Sequence, residues 1–157
     1  MKYNYLNRIF LALIAMAGLS CTSESECRQE LSVNFKAGIY TIADETAKTL
    51  SVDSIWVNGF ANDSFLYKNA KSISSIKMPL NVSADQSFFI VQFNNIKDTI
   101  GISYTTNPEY FISLSCGCIA THTISEVFST SHFIDSIHII QPEVLNYDAE
   151  QIRIYHN

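Results

Sequence analysis

Basic side chains are scarce in this sequence: ten Lys and Arg stand against fifteen Asp and Glu, and charged residues make up only 16 % of the chain. That balance argues against a nucleic-acid partner, which requires a basic footprint to displace counterions, and against electrostatic docking on anionic headgroups. Glycine is sparse too. Gly18, Gly38, Gly59, Gly101 and Gly117 are the five, and they never cluster, so no phosphate-cradling loop can form. There is no G-x-S-x-G turn to hold a strained nucleophile, no twelve-residue calcium loop and no histidine spacing of the metalloprotease-helix type. No apolar run reaches the about 20 residues of a membrane-spanning helix. No internal repeat or low-complexity segment is present either.

What the chain does have at its start is an export signal. Lys2 and Arg8 flank a short polar opening, and residues 9–19 (IFLALIAMAGL) are almost uninterruptedly apolar, the length of a secretory hydrophobic region. Ala15-Met16-Ala17 offers an ordinary cleavage site. Gly18-Leu19-Ser20-Cys21 instead resembles the lipobox of bacterial lipoproteins, with Leu19 two places before the cysteine where three is usual; relaxed boxes of this kind are common in Bacteroidota. Cleavage after Ala17 would shorten the apolar run, so residues 1–20 are read as a lipoprotein signal peptide and Cys21 as the lipid-attachment residue. All the acidic residues lie beyond the leader, so the chain from Cys21 carries eight basic side chains against fifteen acidic, a formal charge of −7. Residues 21–29 form an acidic tether. The Thr-Ser-Glu-Ser-Glu that follows Cys21 looks like a tag for the outer face of the outer membrane, or is a plain solvated spacer.

Residues 30–157 read as one all-β domain. Leu31, Val33 and Phe35 alternate with Ser32, Asn34 and Lys36, the period of a half-buried strand. Leu50, Val52, Ile55 and Val57 continue the style, and Ile73, Ile76 and Met78 give a weaker run before Pro79. SFFIVQF, at 87–93, is apolar on both faces as a central strand would be, and Asn94-Asn95 turns it back into TIGISY as a hairpin. Further β-branched and aromatic runs lie at 110–115, 119–128, 133–140 and 151–155, with turn-forming clusters at 62–64, 83–85, 107–108, 129–131 and 141–142. The stretch 42–49 (IADETAKT) lacks an apolar stripe and reads as a loop or single turn. About nine short strands at this spacing predict a single antiparallel β-sandwich, immunoglobulin-like in architecture, with a small closed barrel as the alternative.

The order of features resembles a family of Bacteroidota lipoproteins of unknown function, the domain-of-unknown-function family 6452. The resemblance is carried by the leader ending in Cys21, the acidic tether with Cys27, and the Leu-Ser-Val-Asn-Phe strand. It continues through Met78-Pro79-Leu80-Asn81, Phe-Phe-Ile-Val-Gln-Phe, Asp98-Thr99-Ile100 and Tyr110…Cys116-Gly117, then His132-Phe133-Ile134-Asp135-Ser136-Ile137 and Ile152-Arg153-Ile154-Tyr155. It implies fold and address and supplies no activity or catalytic residues. Cys118 departs from the pattern by adding a thiol beside Cys116.

The chemical candidates are few. Cys116-Gly117-Cys118, with His122 and His132, could form a redox pair or half a zinc site, but structural zinc sites use two pairs with wider spacing. An exported chain also meets an oxidising compartment, which favours a disulfide. With Cys21 acylated, three thiols remain. Bridging Cys116 to Cys118 would demand a strained turn, so Cys27 is expected to pair with Cys116, with Cys118 as the alternative. His122, His132, His138 and His156 read as surface or loop histidines, His138 on the outer face of its strand and His156 at a frayed terminus. His132 and Asp135 are close in sequence, but a triad is defined by spatial geometry, which closeness in sequence does not supply. Asp53, Asp63, Asp85, Asp98 and Asp135 read as turn formers. Trp56, placed on a face with Val52, Ser54 and Asn58, is a possible ligand contact, as a platform for a sugar ring together with tyrosines such as Tyr67 or as an anchor for a protein partner. The expectation is a non-catalytic accessory or interaction module. It is held in the cell envelope by a lipid anchor as an outer-membrane lipoprotein, on the periplasmic or the surface-exposed side. No cofactor and no metal is expected, and the protein or glycan partner is left open. A glycan-binding surface module is the alternative, and an envelope hydrolase the third reading.

Overall fold

The computed structural model describes residues 27–43, 45–60 and 64–157. The leader 1–20, Cys21, most of the tether and Asp63 lie outside them. Eleven strands and no helix are present among the described residues. They are β1 (Asn34–Ala43), β2 (Thr46–Thr49), β3 (Ile55–Gly59), β4 (Phe65–Ala70), β5 (Ser75–Pro79) and β6 (Gln86–Phe93), then β7 (Ile96–Ser113), β8 (Gly117–Ser129), β9 (Ser136–Ile139), β10 (Glu143–Val144) and β11 (Ile152–Tyr155).

They form two sheets. One has the order β2-β1-β11-β9, with β5 pairing the first half of β1 on the edge that β2 occupies further along. The other has the order β10-β8-β7-β6-β3-β4. Period-two alternation decides what lies between them. Phe35, Ala37 and Ile39 of β1, Ile76 and Met78 of β5, and Ile152 and Ile154 of β11 face inward from the first sheet. Ile55 and Val57 of β3, Phe89, Val91 and Phe93 of β6, and Ile100, Ile102 and Tyr104 of β7 meet them from the second. Burial of these side chains stabilises the pair of sheets by roughly 1.5–3 kcal/mol each relative to exposure. The architecture is therefore an all-β sandwich, as the strand periodicity predicts.

Four details depart from expectation. The chain's first and last strands, β1 and β11, pair in parallel, from Ala37↔Ile152 to Tyr40↔Tyr155; every other strand pair is antiparallel among those described, so the sandwich is not wholly antiparallel. A parallel pair needs a long crossover, and here the whole intervening chain supplies it. Residues 42–49 are not a loop: Ala43 and Thr46 close a tight β1–β2 hairpin, with Glu45 in the left-handed region at φ 60°. The exposed residues of β2 leave no apolar stripe to read. β4 falls just after the turn cluster at 62–64, in a stretch to which the sequence pattern assigns no strand. It lies at the sheet edge, its register against β3 is broken by a bulge, and its alternation is blurred accordingly. Finally, β6 is central, between β7 and β3, yet only one of its faces is in the core; Phe88 and Ile90 point to the outside of the sandwich.

Candidate functional site

The outer face of the six-stranded sheet carries the most unusual surface. Trp56 is half-buried there, edge-on to Phe65 with ring centroids 5.3 Å apart. A cleft of ≈ 570 Å³ opens beside it, lined by Ser54, Asn58, Asn69, Gln92, Asn94 and Lys97 among others. Several of these groups hold one another. The Ser54 hydroxyl donates to Asn69 Oδ1 at 2.6 Å, the Ser54 amide donates to Asn94 Oδ1 at 3.1 Å, and Gln92 Nε2 donates to the Asn94 carbonyl at 2.8 Å. Asn69 and Asn94 both sit at φ 52°, a conformation that Asn tolerates better than most side chains. The cleft is thus an indole wall ringed by amides whose positions are fixed by turn geometry.

The sequence placed Trp56 correctly with Ser54 and Asn58, but two of its other neighbours are elsewhere. Val52 is buried and bridges Ile73, because the chain bends at Asp53 and resets the alternation. Tyr67 pairs with Val57, packs against the core, and accepts a hydrogen bond from the Lys77 amide through its hydroxyl. It therefore faces away from Trp56.

Beyond the cleft, the same face carries a row of phenyl rings. Phe60 lies 6.2 Å from Phe88, and Phe88 lies 5.8 Å from Phe128. Phe88, Gly101 and Phe128 are cross-strand neighbours on β6, β7 and β8. All three phenylalanines are substantially exposed. An apolar groove of ≈ 450 Å³ runs from this row past Leu66 to Leu80.

The acid–base candidates have structural employment. Asp98 is not a turn former: its position shares the inward face with Ile100 and Ile102, and it is 2 % exposed. Oδ1 accepts from the Thr130 hydroxyl, the His132 amide and, at 3.0 Å, His132 Nδ1; Oδ2 accepts from the amides of Phe133 and Ile134. Burial alone would raise its pKa, but the hydrogen bonds from Thr130, His132, Phe133 and Ile134 outweigh that and hold it below the ordinary aspartate value. Asp98, rather than Asp135, is the partner of His132. Among the described residues no hydrogen bond from a hydroxyl to His132 Nε2 is found. Alternation from Tyr104 back through Ile102 and Ile100 could have revealed Asp98 as an inward carboxylate.

Two histidines also depart from the surface reading. His122 is 3 % exposed in β8, with Nδ1 3.0 Å from the Thr106 hydroxyl and its ring edge-on to Tyr104; burial holds its pKa below the usual imidazole value. His156 is not frayed, because its ring stacks on Phe133 at 3.8 Å and its amide donates to the Tyr40 carbonyl. His138 is exposed on the outer face of β9, as its alternation predicts. Among the described residues no three His, Cys, Asp or Glu side chains gather where they could hold a metal ion.

Cys27 and Cys116 form a disulfide with Cα atoms 4.8 Å apart, and Cys118 is an exposed thiol. The bridge ties the start of the described chain to the tip of the β7–β8 hairpin. The model of a family of unknown function, DUF6452, matches residues 54–156, well over half of the 157-residue chain. No curated protein and no solved structure matches it.

Proposed function

The chain belongs to the DUF6452 family of unknown function, and from that premise we propose that it is a non-catalytic interaction module of the cell envelope. A lipid on Cys21 holds it at the outer membrane, and the outer face of the six-stranded sheet meets its partner. One observation carries this reading: Phe60, Phe88 and Phe128 form a connected aromatic row, exposed among the described residues. Single exposed apolar side chains are ordinary, whereas contiguous ones mark contact surfaces. The non-catalytic part of the reading is supported by Asp98, the one buried carboxylate among the described residues, whose oxygens accept from donors of its own fold. A photo-crosslinking residue at Phe88 in intact cells is expected to trap a discrete partner that is lost when Phe60 and Phe128 become serine. Reproducible hydrolysis of esters, peptides or glycosides that disappears in Asp98→Asn or His132→Ala would overturn it.

A glycan ligand is the second reading, favoured by the Trp56 cleft. A flat indole offers a stacking face for a pyranose, and the surrounding amides of Asn58, Asn69 and Gln92 are both donors and acceptors, as sugar hydroxyls require. Binding on a glycan array that is abolished by Trp56→Ala supports it; an array without signal discards it.

A further inference from the structure

We infer that the tip of the β7–β8 hairpin is a second membrane contact, docking Phe111 and Leu114 into the headgroup–acyl boundary of the bilayer that carries the lipid anchor. The inference rests on the anchor reading above and adds a surface of the folded domain to it. Tyr110, Phe111 and Leu114 lie at the tip, and Leu114 is 99 % exposed and Phe111 60 %. β10 pairs with β8 at His122 and Thr123, and beyond that point the two hairpin strands have, among the described residues, only each other as strand partners. No Asp, Glu, Lys or Arg occurs from Tyr110 to Ser125, in a chain with twenty-five charged side chains. The hairpin tip itself therefore carries none of the charged side chains whose desolvation would resist insertion; those beside Cys27 belong to the tether.

The disulfide says which surface the tip faces. Cys27 is bonded to Cys116, two residues from Leu114. Only five residues lie between Cys21 and Cys27, a contour of roughly 20 Å at full extension. An acyl chain on Cys21 therefore holds the tip, and not the opposite end of the sandwich, next to the membrane. Ser113, Ser115 and the turn backbone keep the contact shallow, because unpaired backbone groups do not enter the hydrocarbon. The lipid on Cys21 tethers the domain without orienting it, and the tip supplies a further apolar contribution together with a fixed orientation.

The native Cys118 thiol provides the probe, since it is exposed and pairs across the hairpin with Phe111. Full-length acylated protein, labelled there with an environment-sensitive nitrobenzoxadiazole, is bound to phosphatidylcholine vesicles containing nitroxide-labelled lipid. Blue-shifted emission and quenching by the nitroxide are expected. Both are expected to fall severalfold in the Phe111→Ser, Leu114→Ser double variant, which still floats with the vesicles through its acyl chain. A label in wild-type, vesicle-bound protein that stays as water-exposed as in the double variant overturns the inference. The mass of the N-terminal peptide reports acylation separately. If Cys21 is bare, the anchor reading fails, and flotation of the bare chain decides the tip: flotation that needs Phe111 and Leu114 upholds it, and none at all overturns it.

Discussion

Phe128 lies across Gly101: a Cβ built on this glycine would fall inside the phenyl ring. Gly101 sits between Phe88 and Phe128 in the register of β6, β7 and β8, so the missing side chain is what lets the two rings meet edge-on at 5.8 Å. The aromatic row on the open face of the sheet is therefore built around an absence on its central strand, and the ring in turn shields a glycine that would otherwise weaken it.

Gly101→Ala is expected to act with opposite sign in two backgrounds. In the wild-type chain the methyl displaces the Phe128 ring from its seat, at a cost of about 1 kcal/mol. In Phe128→Ala the ring is gone and alanine only restricts the unfolded strand, a gain of about 0.5–1 kcal/mol. Urea denaturation of the four proteins of this cycle measures both. Equal effects of Gly101→Ala in the two backgrounds would remove the glycine–ring pairing from the account.

Trp56 is the chain's one tryptophan, so its emission reports on the cleft without labelling. A sugar stacked on the indole excludes water from it, and a saturable blue shift on titration with an oligosaccharide ligand is expected. Asn69→Ala, which leaves the indole in place but removes an acceptor from Ser54, is expected to weaken that shift at least several-fold. Emission that never changes with any glycan, in a protein that binds on an array, would place the binding away from Trp56.

The sandwich was legible from period-two runs such as Leu31, Val33 and Phe35, of which Phe35 is inward in the fold; in β6 both faces are apolar in sequence, and only the sheet pairing singles out Phe89, Val91 and Phe93 as the inward ones. Geometry narrowed the partner of Cys27 to Cys116 or Cys118, since those two are too close in sequence to bridge comfortably, and the fold takes Cys116. What stayed hidden depends on long-range partners. Alternation puts Asp98 on the inward face, but what permits a carboxylate there is the return of residues 130–134, more than thirty positions on. Tyr67 shares a strand style with Trp56, but the register shift between β3 and β4 puts the two on opposite faces. The aromatic row is invisible in one dimension, because its members come from Phe60, Phe88 and Phe128, on separate segments that only the sheet order brings together.

The disulfide closes a loop with a sequence separation of 89. In the chain-entropy view, restricting the unfolded chain over such a loop is worth about 4–5 kcal/mol. Cys27→Ser is expected to lower the denaturation midpoint accordingly. It should also raise the urea slope, since an uncrosslinked unfolded chain exposes more surface. A reduced protein with an unchanged midpoint would show that the bridge orients the hairpin tip without stabilising the fold.

Acid is expected to unfold the domain in two identifiable stages. Burial holds the folded pKa of His122 below its unfolded value, so the unfolded state binds the extra proton, and stability starts to fall as pH drops through about 6.5, the ordinary histidine value. The folded pKa of Asp98 is likewise depressed, because the hydrogen bonds from Thr130, His132, Phe133 and Ile134 outweigh its burial. Its contribution is complete above the unfolded aspartate value of about 3.9 and is lost as pH falls through the lower folded value. Asp98→Asn replaces acceptor lone pairs with an amide donor among donors that already lack alternatives, so it is expected to cost about 3–5 kcal/mol at neutral pH. The same change removes the lower stage, which makes the variant's stability flatter between pH 4 and 3, roughly the interval below the free aspartate value. His122→Phe removes the upper stage and leaves the lower one in place. Denaturation series at pH 7, about 5.5, 4 and 3 separate the two, and an Asp98→Asn curve that runs parallel to wild type down to the lowest pH would show that this carboxylate does not carry the acid sensitivity.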